Sequence, residues 1–420
     1  MIFAPASYGA LSATTTAVIQ GNIPVFTGHW ASSKLGFNFN NTEYSQANGN
    51  IDPTIALSVD KGVKLWDFQV RGLYAGDFNL ATDYYDGEGD IAHDVNPFTL
   101  GNLTYEWYDG AGNQLDDMSK TIGCSGFNLP LRLNITMHNI QAHSKYGLPR
   151  DSAGVTLNKS YLITSNSGLC YLKPGSMHWY DGGGWGSRRN PIVGGGYTDD
   201  FDPTFGFKAD AGTKFPTIGF PGAKFQLIMT GAPTNYDYSL QSNPNNSAYL
   251  DTVNGYVTLV NKPTGNITVR ATLKSHPWIH HDYTFNATRL WVWIPNPDGL
   301  PGHFEDMKGA CGNEANILKR AEFSNSPQSY VNKIKGQENY GTRAIGEGLF
   351  AEWGDLDLSN YPGSQWKMYK KPGSHNTWMS IYWAGKEPNN RTYVYSSING
   401  TVGDISPPSI IDYYKIACRG

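Results

Sequence analysis

Trp366, Trp378, Tyr382 and Trp383 crowd one stretch near the C-terminus, and Arg391 follows shortly after. Aromatic faces of this kind stack on sugar rings or anchor protein interfaces, where Trp, Tyr and Arg carry most of the binding energy. The period-two alternation along Trp378–Trp383 turns half of these rings toward a core. Two acidic clusters could bind a cation: Asp83, Asp86, Glu88 and Asp90, and then Asp199, Asp200 and Asp202. Neither has the loop spacing or the closing bidentate Glu of an EF-hand, so both read as solvated turns. His276, His280 and His281 flank Pro277-Trp278-Ile279. A helix would bring His276 and His280 together on a metal, but Pro277 and the surrounding strand pattern argue against a helix. The carboxylate pairs Glu347 with Glu352, and Asp116 with Asp117, could in principle hydrolyse a glycoside, yet nothing in the sequence fixes their separation. No GxSxG elbow, HExxH, Walker A or Rossmann glycine pattern occurs, so the chain does not read as an enzyme.

The elements that must position these residues are β-strands. Charged residues make up 16% of the 420 and aromatic residues 13%, with 48 Gly and 24 Pro. Few charges exclude a long helical bundle, whereas aromatic strands broken by Gly, Pro, Asn and Asp turns describe a mainly β protein. The length gives a prior of about three domains. A formal charge of −4 supplies no basic field for nucleic acid or anionic membrane. No apolar run approaches the roughly 20 residues of a spanning helix.

Strand patterns fall over 14–20, 65–70 and 131–137, with turns at Asp86–Asp90 and Asp109–Asn113. The Gly-rich tract Gly182–Gly196 reads as a binding loop, and it is where an exported enzyme or effector would hold its activity. From 213 to 297 about seven short strands follow, with Asn254-Gly255 at one corner, as in an immunoglobulin-like sandwich. Residues 295–302 form a Pro/Gly linker. Gly309–Arg320 carries a helical pattern, with Ala310, Ala315, Ile317 and Leu318 on one face. Aromatic strands return over 378–383, 392–396 and 413–418. The expected division is thus a leader remnant and first strand over 1–25, an N-terminal β-rich domain over 26–212, an Ig-like domain over 213–297, and a last domain over 298–420.

Four cysteines, at 124, 170, 311 and 418, lack the tight clustering of a zinc site and point to disulfides in an oxidising, extracytoplasmic compartment. Of three possible connectivities, Cys124 with Cys170 and Cys311 with Cys418 is the local one. The segment Met1–Ala13 reads either as the tail of a secretory signal whose basic start lies upstream or as an ordinary disordered terminus. Asn-x-Ser/Thr sequons at Asn102, Asn134, Asn158, Asn266, Asn286 and Asn390 follow from an Asn- and Thr-rich composition.

Several stretches resemble the intimin- and invasin-type bacterial adhesins. They are Ala310-Cys311 with Ala315, Leu318 and Glu322; Arg343-Ala344-Ile345-Gly346-Glu347-Gly348-Leu349-Phe350-Ala351-Glu352-Trp353-Gly354; and Tyr414-Lys415-Ile416-Ala417-Cys418-Arg419-Gly420. The match implies a C-type-lectin-like α+β domain at the C-terminus, preceded by an Ig-like module. Ala13–Gly21 resembles the start of a larger adhesion domain in the same proteins. The N-terminal membrane barrel of intimins and invasins is not in this sequence, which leaves surface anchoring open and suggests release or export through an outer-membrane β-barrel partner.

The resemblance implies a non-catalytic, secreted or surface-exposed adhesin whose tip binds a host-cell surface protein or glycan, with Trp378, Tyr382, Trp383 and Arg391 as contact residues. It also raises a calcium-dependent lectin as an alternative. Sugar-binding C-type lectins coordinate Ca²⁺ with Glu-Pro-Asn and Trp-Asn-Asp. Glu387-Pro388-Asn389 supplies the first here, while the second has become Val402-Gly403-Asp404, leaving Asp404 as its remaining ligand. Invasin-type domains are similar in lacking a working calcium site, so no cofactor is expected.

Overall fold

Leu131, Leu133, Ile135 and Met137 all face inward from the strand Leu131–Ala142, each nearly inaccessible, while the residues between them are exposed or half-buried. A bulge between Met137 and Ile140 then shifts the inward set to Ile140 and Ala142. Asn139 sits at φ 49° inside that bulge. Asn tolerates this left-handed conformation better than most residues, which is how one extra residue is absorbed without losing the core face. This strand is the centre of the first of two compact units, residues 1–166 and 167–420. The computed structural model describes residues 20–177, 196–326, 341–371, 373, 378–387, 391–398, 400, 402–405 and 413–420.

In the first unit, Leu131–Ala142 pairs antiparallel with Val155–Ser165 on one side and Leu103–Tyr108 on the other. Leu57–Val59 adds in parallel to Val155–Ser165, and Gln114–Leu115 extends the opposite edge. A smaller sheet joins Thr42–Ser45, Gly36–Phe39 and Gln69–Arg71. Between them lies a core of Phe26, Phe37, Phe68, Trp107 and Tyr161 with the aliphatic residues of the long strands. The strand expected over 65–70 is instead a 3-10 turn, Leu65–Asp67, followed by the strand Gln69–Arg71. The Asp67 carboxylate accepts the backbone N–H of Lys64 at 2.8 Å, which closes the turn and outweighs the alternating pattern. The strand expected over 14–20 lies outside the described residues apart from Gln20, which is not in a strand.

The second unit begins with a sandwich. One sheet runs Phe201–Asp202, Gly206–Lys208, Leu169–Pro174, Lys224–Met229, Tyr256–Leu259, Ala248–Leu250; the other runs Tyr236–Ser242, Ile267–Leu273, His280–Phe285. Phe225, Leu227, Val257 and Leu259 share one core with Ile267, Val269, Tyr283 and Phe285, as inward-facing rows of two packed sheets do. The Asn254-Gly255 corner forms as expected, with Gly255 at φ 71°. Leu169–Pro174 pairs with Lys224–Met229, so strands that the sequence pattern grouped with the N-terminal region complete the sandwich.

Beyond the sandwich, Leu290–Trp293 is flanked by Ile218–Gly219 in parallel and by the chain's last strand, Cys418–Arg419, in antiparallel. A four-stranded sheet follows: Val402–Asp404, Tyr393–Ser396, Ile381–Trp383, Lys415–Ile416. The helix expected over Gly309–Arg320 is absent. In its place are Phe304–Met307, the 3-10 turn Glu314–Asn316 and Arg320–Phe323. Gly312 takes φ 75°, and the Asn313 side chain caps a new turn by accepting the N–H of Ala315 at 2.9 Å. Both break a continuous helix.

Cys311 and Cys418 are disulfide-bonded across 107 residues. In the chain-entropy model a loop of this length contributes about 4–5 kcal/mol. No described cysteine is free. Among the described residues no helix is long and apolar enough to cross a membrane.

Candidate binding surface of the C-terminal module

The rings of Trp378–Trp383 differ sharply in exposure but do not alternate, since the adjacent Tyr382 and Trp383 are both buried. Trp378 stands 55% exposed on the short strand Trp378–Met379, paired with Tyr369–Lys370. The Lys370 ammonium lies 5.7 Å from the centre of its ring. Tyr382 and Trp383 are fully buried and Trp366 nearly so. Tyr382 stacks parallel to Tyr395 and meets Trp366 edge-on. Trp383 donates its indole N–H to the carbonyl of Gly302 at 3.0 Å and packs against Phe304. The expectation that Tyr382 and Trp383 contact a ligand is therefore corrected: cross-strand packing turns both into core. Trp378 keeps the role open to it.

The carboxylates proposed for calcium face arginines. The Arg391 Nε lies 2.8 Å from Asp404 Oδ2, and Asp404's side chain is only 6% exposed. Arg320 Nε approaches Glu387 Oε1 at 3.9 Å, and its guanidinium lies over the ring of Tyr393, 5.5 Å from the centre. Tyr393 and Asp404 are cross-strand partners, so these groups share one face of the sheet. One oxygen of each carboxylate, Glu387 Oε1 and Asp404 Oδ1, is buried without a hydrogen bond. A guanidinium against Asp404 already neutralises that charge and repels a dication, so this donor set does not fit Ca²⁺. Asn389 lies outside the described residues, as does the tract Gly182–Gly196 apart from Gly196. Among the described residues no group of three or more His, Cys, Asp or Glu side chains is placed to hold a metal.

The remaining chemical candidates have structural tasks. Asp86 Oδ1 accepts the N–H groups of Glu88 and Asp90, closing its turn. Asp202 does the same for Thr204 and Phe205. His280 and His281 stand in the strand His280–Phe285, His281 bonded to the Ser167 hydroxyl at 3.0 Å, while His276 meets Trp278 edge-on before it. Asp117 accepts both the N–H and the hydroxyl of Ser119, which hold its carboxyl below the usual range. Glu347 accepts from the Asn325 amide at 2.8 Å.

Glu352, one of the carboxylates considered for glycoside hydrolysis, has a structural setting. It is fully buried on the short helix Leu349–Trp353. Its two oxygens accept the N–H groups of Thr217, Ile218 and Gly346 and the Thr217 hydroxyl. Burial pushes its pKa up while these four donors oppose the shift. Beside it, the fully buried Arg343 donates to the carbonyls of Ala351, Ser176 and Glu352. With its lone pairs committed and no solvent access, Glu352 cannot serve as acid, base or nucleophile. Sequence reading missed this network, although both residues lie in the stretch that carried the family resemblance. A cavity of about 290 Å³ opens at the four-stranded sheet, lined by Ile381, Val394, Ser396, Asp404, Ile405 and Tyr414 among others.

Residues 201–285 match the family model described as invasin, domain 4. Among solved structures the chain is similar to invasin, described as a bacterial integrin-binding protein, with 16% identity, TM-score 0.40, and coverage of 80% of this chain and 53% of that one. It is also similar to the C-terminal 282-residue fragment of intimin in complex with the intimin-binding domain of the translocated intimin receptor, with 12% identity, TM-score 0.34, and 80% and 92% coverage. An intimin mutant from EHEC O157:H7 follows at 17% identity, TM-score 0.29, and 49% and 89% coverage. The chain spans about half the length of the invasin structure. No curated protein matches the chain.

Proposed function

We propose that the chain is a non-catalytic adhesin, exported from a bacterium, that binds a protein on the host-cell surface through its C-terminal module, a reading supported by the match of residues 201–285 to the invasin domain 4 model. The observation that carries this reading is continuity. The invasin-type segment leads directly into a module closed by Cys311–Cys418, whose final strand pairs back onto Leu290–Trp293. In this reading the first β unit ends near Asn166, the Ig-like sandwich acts as a spacer, and residues 298–420 form the C-type-lectin-like tip. Disulfides suit the extracytoplasmic compartment that the role requires.

Trp378 is the contact residue we favour, because it combines a large ring with high exposure and a neighbouring cation. The arginine pairing of Asp404 favours a protein receptor over calcium-mediated sugar binding, and the commitment of Glu352 removes the strongest carboxylate pair from any hydrolytic role. The test is binding of the labelled full-length chain to cultured epithelial cells, with and without prior protease treatment of the cells and with and without EGTA. The reading expects loss after protease treatment and no effect of EGTA. Loss in EGTA would replace the protein receptor with a calcium-dependent glycan.

A further inference from the structure

In the N-terminal unit, Trp30 is 47% exposed and Tyr74 is 64% exposed. The Trp30 ring is anchored. The indole N–H of Trp30 donates to Asp83, a residue with no exposed surface. The same carboxylate also accepts from the Thr82 hydroxyl at 3.0 Å and from the Asn79 N–H at 2.7 Å. A buried carboxylate costs several kcal/mol unless it is well partnered. Here one of those partners is a ring that stays half in water.

From Trp30 a continuous run of polar contacts leads to Tyr74. Lys34 Nζ lies 4.8 Å from the centre of the Trp30 ring and 3.4 Å from Asp77 Oδ1. Arg71 reaches the same Asp77 oxygen at 3.3 Å and Glu43 at 3.4 Å, and its guanidinium lies 5.3 Å from the centre of the Tyr74 ring. Asp77 in turn accepts the backbone N–H of Tyr74 at 2.9 Å. Two cations are thus matched by two carboxylates, and the strip between the rings has no net charge.

We propose that Trp30 and Tyr74 form a saccharide-binding platform in the N-terminal unit, separate from the C-terminal surface, and that its ligand is a neutral oligosaccharide. Exposed aromatic rings present faces for the C–H surfaces of sugar rings. The strip between them offers ammonium and guanidinium donors and carboxylate acceptors, which suit hydroxyl groups. Because those charges are already paired, the strip exerts little pull on an anionic chain. A protein partner would instead favour an apolar surround between the anchoring rings.

Full-length protein is tested by affinity electrophoresis and calorimetry with hexasaccharides of β-1,4-glucose, β-1,4-N-acetylglucosamine and α-mannose, with heparin as the anionic comparison. At least one neutral hexasaccharide is expected to bind, with at least tenfold weakening in Trp30→Ala and in Tyr74→Ala. Trp278→Ala, which removes a 74% exposed ring elsewhere, is expected to bind as wild type. Trp30→Phe tests the site if Trp30→Ala unfolds: it keeps a ring but loses the anchor to Asp83, and a partial loss is expected. Binding to heparin alone, no binding to any neutral probe, or unchanged affinity in both ring variants would overturn the proposal. None of these results bears on cell binding through Trp378.

Discussion

Thr217 and Glu352, 135 residues apart, are joined by a backbone N–H and a hydroxyl that both donate to one buried carboxylate. Thr217 directly precedes the strand Ile218–Gly219 beside the sandwich, and Glu352 belongs to the helix Leu349–Trp353. Phe215 and Phe220, on either side of Thr217, both pack against Trp353. The sandwich and the C-terminal module therefore share one core and one polar clasp.

Glu352→Gln keeps the shape of the clasp but places an amide N–H₂ against N–H donors. An unsatisfied buried donor costs about 1–3 kcal/mol, and breaking a buried charged network costs more, so a loss of about 2–4 kcal/mol is expected. Chemical denaturation monitored by tryptophan fluorescence measures it. Loss of only the C-terminal module, with the sandwich transition unmoved, would contradict a shared core.

Asp355 follows Trp353 closely and its carboxyl is pushed up to about 6, chiefly by burial. A carboxyl raised in the folded state binds its proton more tightly there than in the unfolded chain. Its contribution therefore weakens stability as pH rises from about 4 to about 6. Asp355→Asn retains an oxygen to accept the Asp357 N–H, an interaction of 2.9 Å in the wild type. After discounting for partial solvent screening, we expect Asp355→Asn to gain about 1 kcal/mol at neutral pH and nothing at pH near 3. Urea midpoints across that range check the slope.

The double variant Cys311→Ser with Cys418→Ser removes the 107-residue loop closure. A loss of about 4–5 kcal/mol is expected, seen as a lower Tm in calorimetry. A shift of less than a fifth of that would mean the ends of this module are held by packing alone.

Trp378 and Trp383 lie on consecutive strands of different sheets and are expected to respond oppositely to truncation. Trp383→Ala empties a fully buried site and should cost about 3–5 kcal/mol. Trp378→Ala removes an exposed ring and should leave stability within about 0.5 kcal/mol while weakening cell binding several-fold. Thermal unfolding and cell binding of the two variants separate core from contact.

The pattern of these residues explains what could be read from the sequence. Strand Leu131–Ala142 was legible because its inward residues alternate over the stretch 131–137; the bulge at Asn139 was not, since it depends on the partner strand Val155–Ser165. The sandwich was legible as regular short strands, but its strand Leu169–Pro174 was not, because its partner lies some 55 residues on. The helical pattern over Gly309–Arg320 misled, because Gly312, Asn313 and the Cys311 bridge act against helix propensity locally and at long range. Among the candidate contact residues Trp378 is exposed, but nothing local in the sequence separates it from Tyr382 and Trp383. Their burial comes from packing against Tyr395, Trp366 and Phe304. The clasp of Glu352 was invisible as such, since no spacing rule connects it to Thr217.

The most direct measurement is saturation binding of the labelled full-length chain to epithelial cells, comparing wild type with Trp378→Ala on untreated and protease-treated cells. A protein-receptor adhesin predicts saturable binding to untreated cells, several-fold weaker for Trp378→Ala, and none for either chain after protease treatment. Equal binding of both chains, or binding that survives protease treatment, would contradict it.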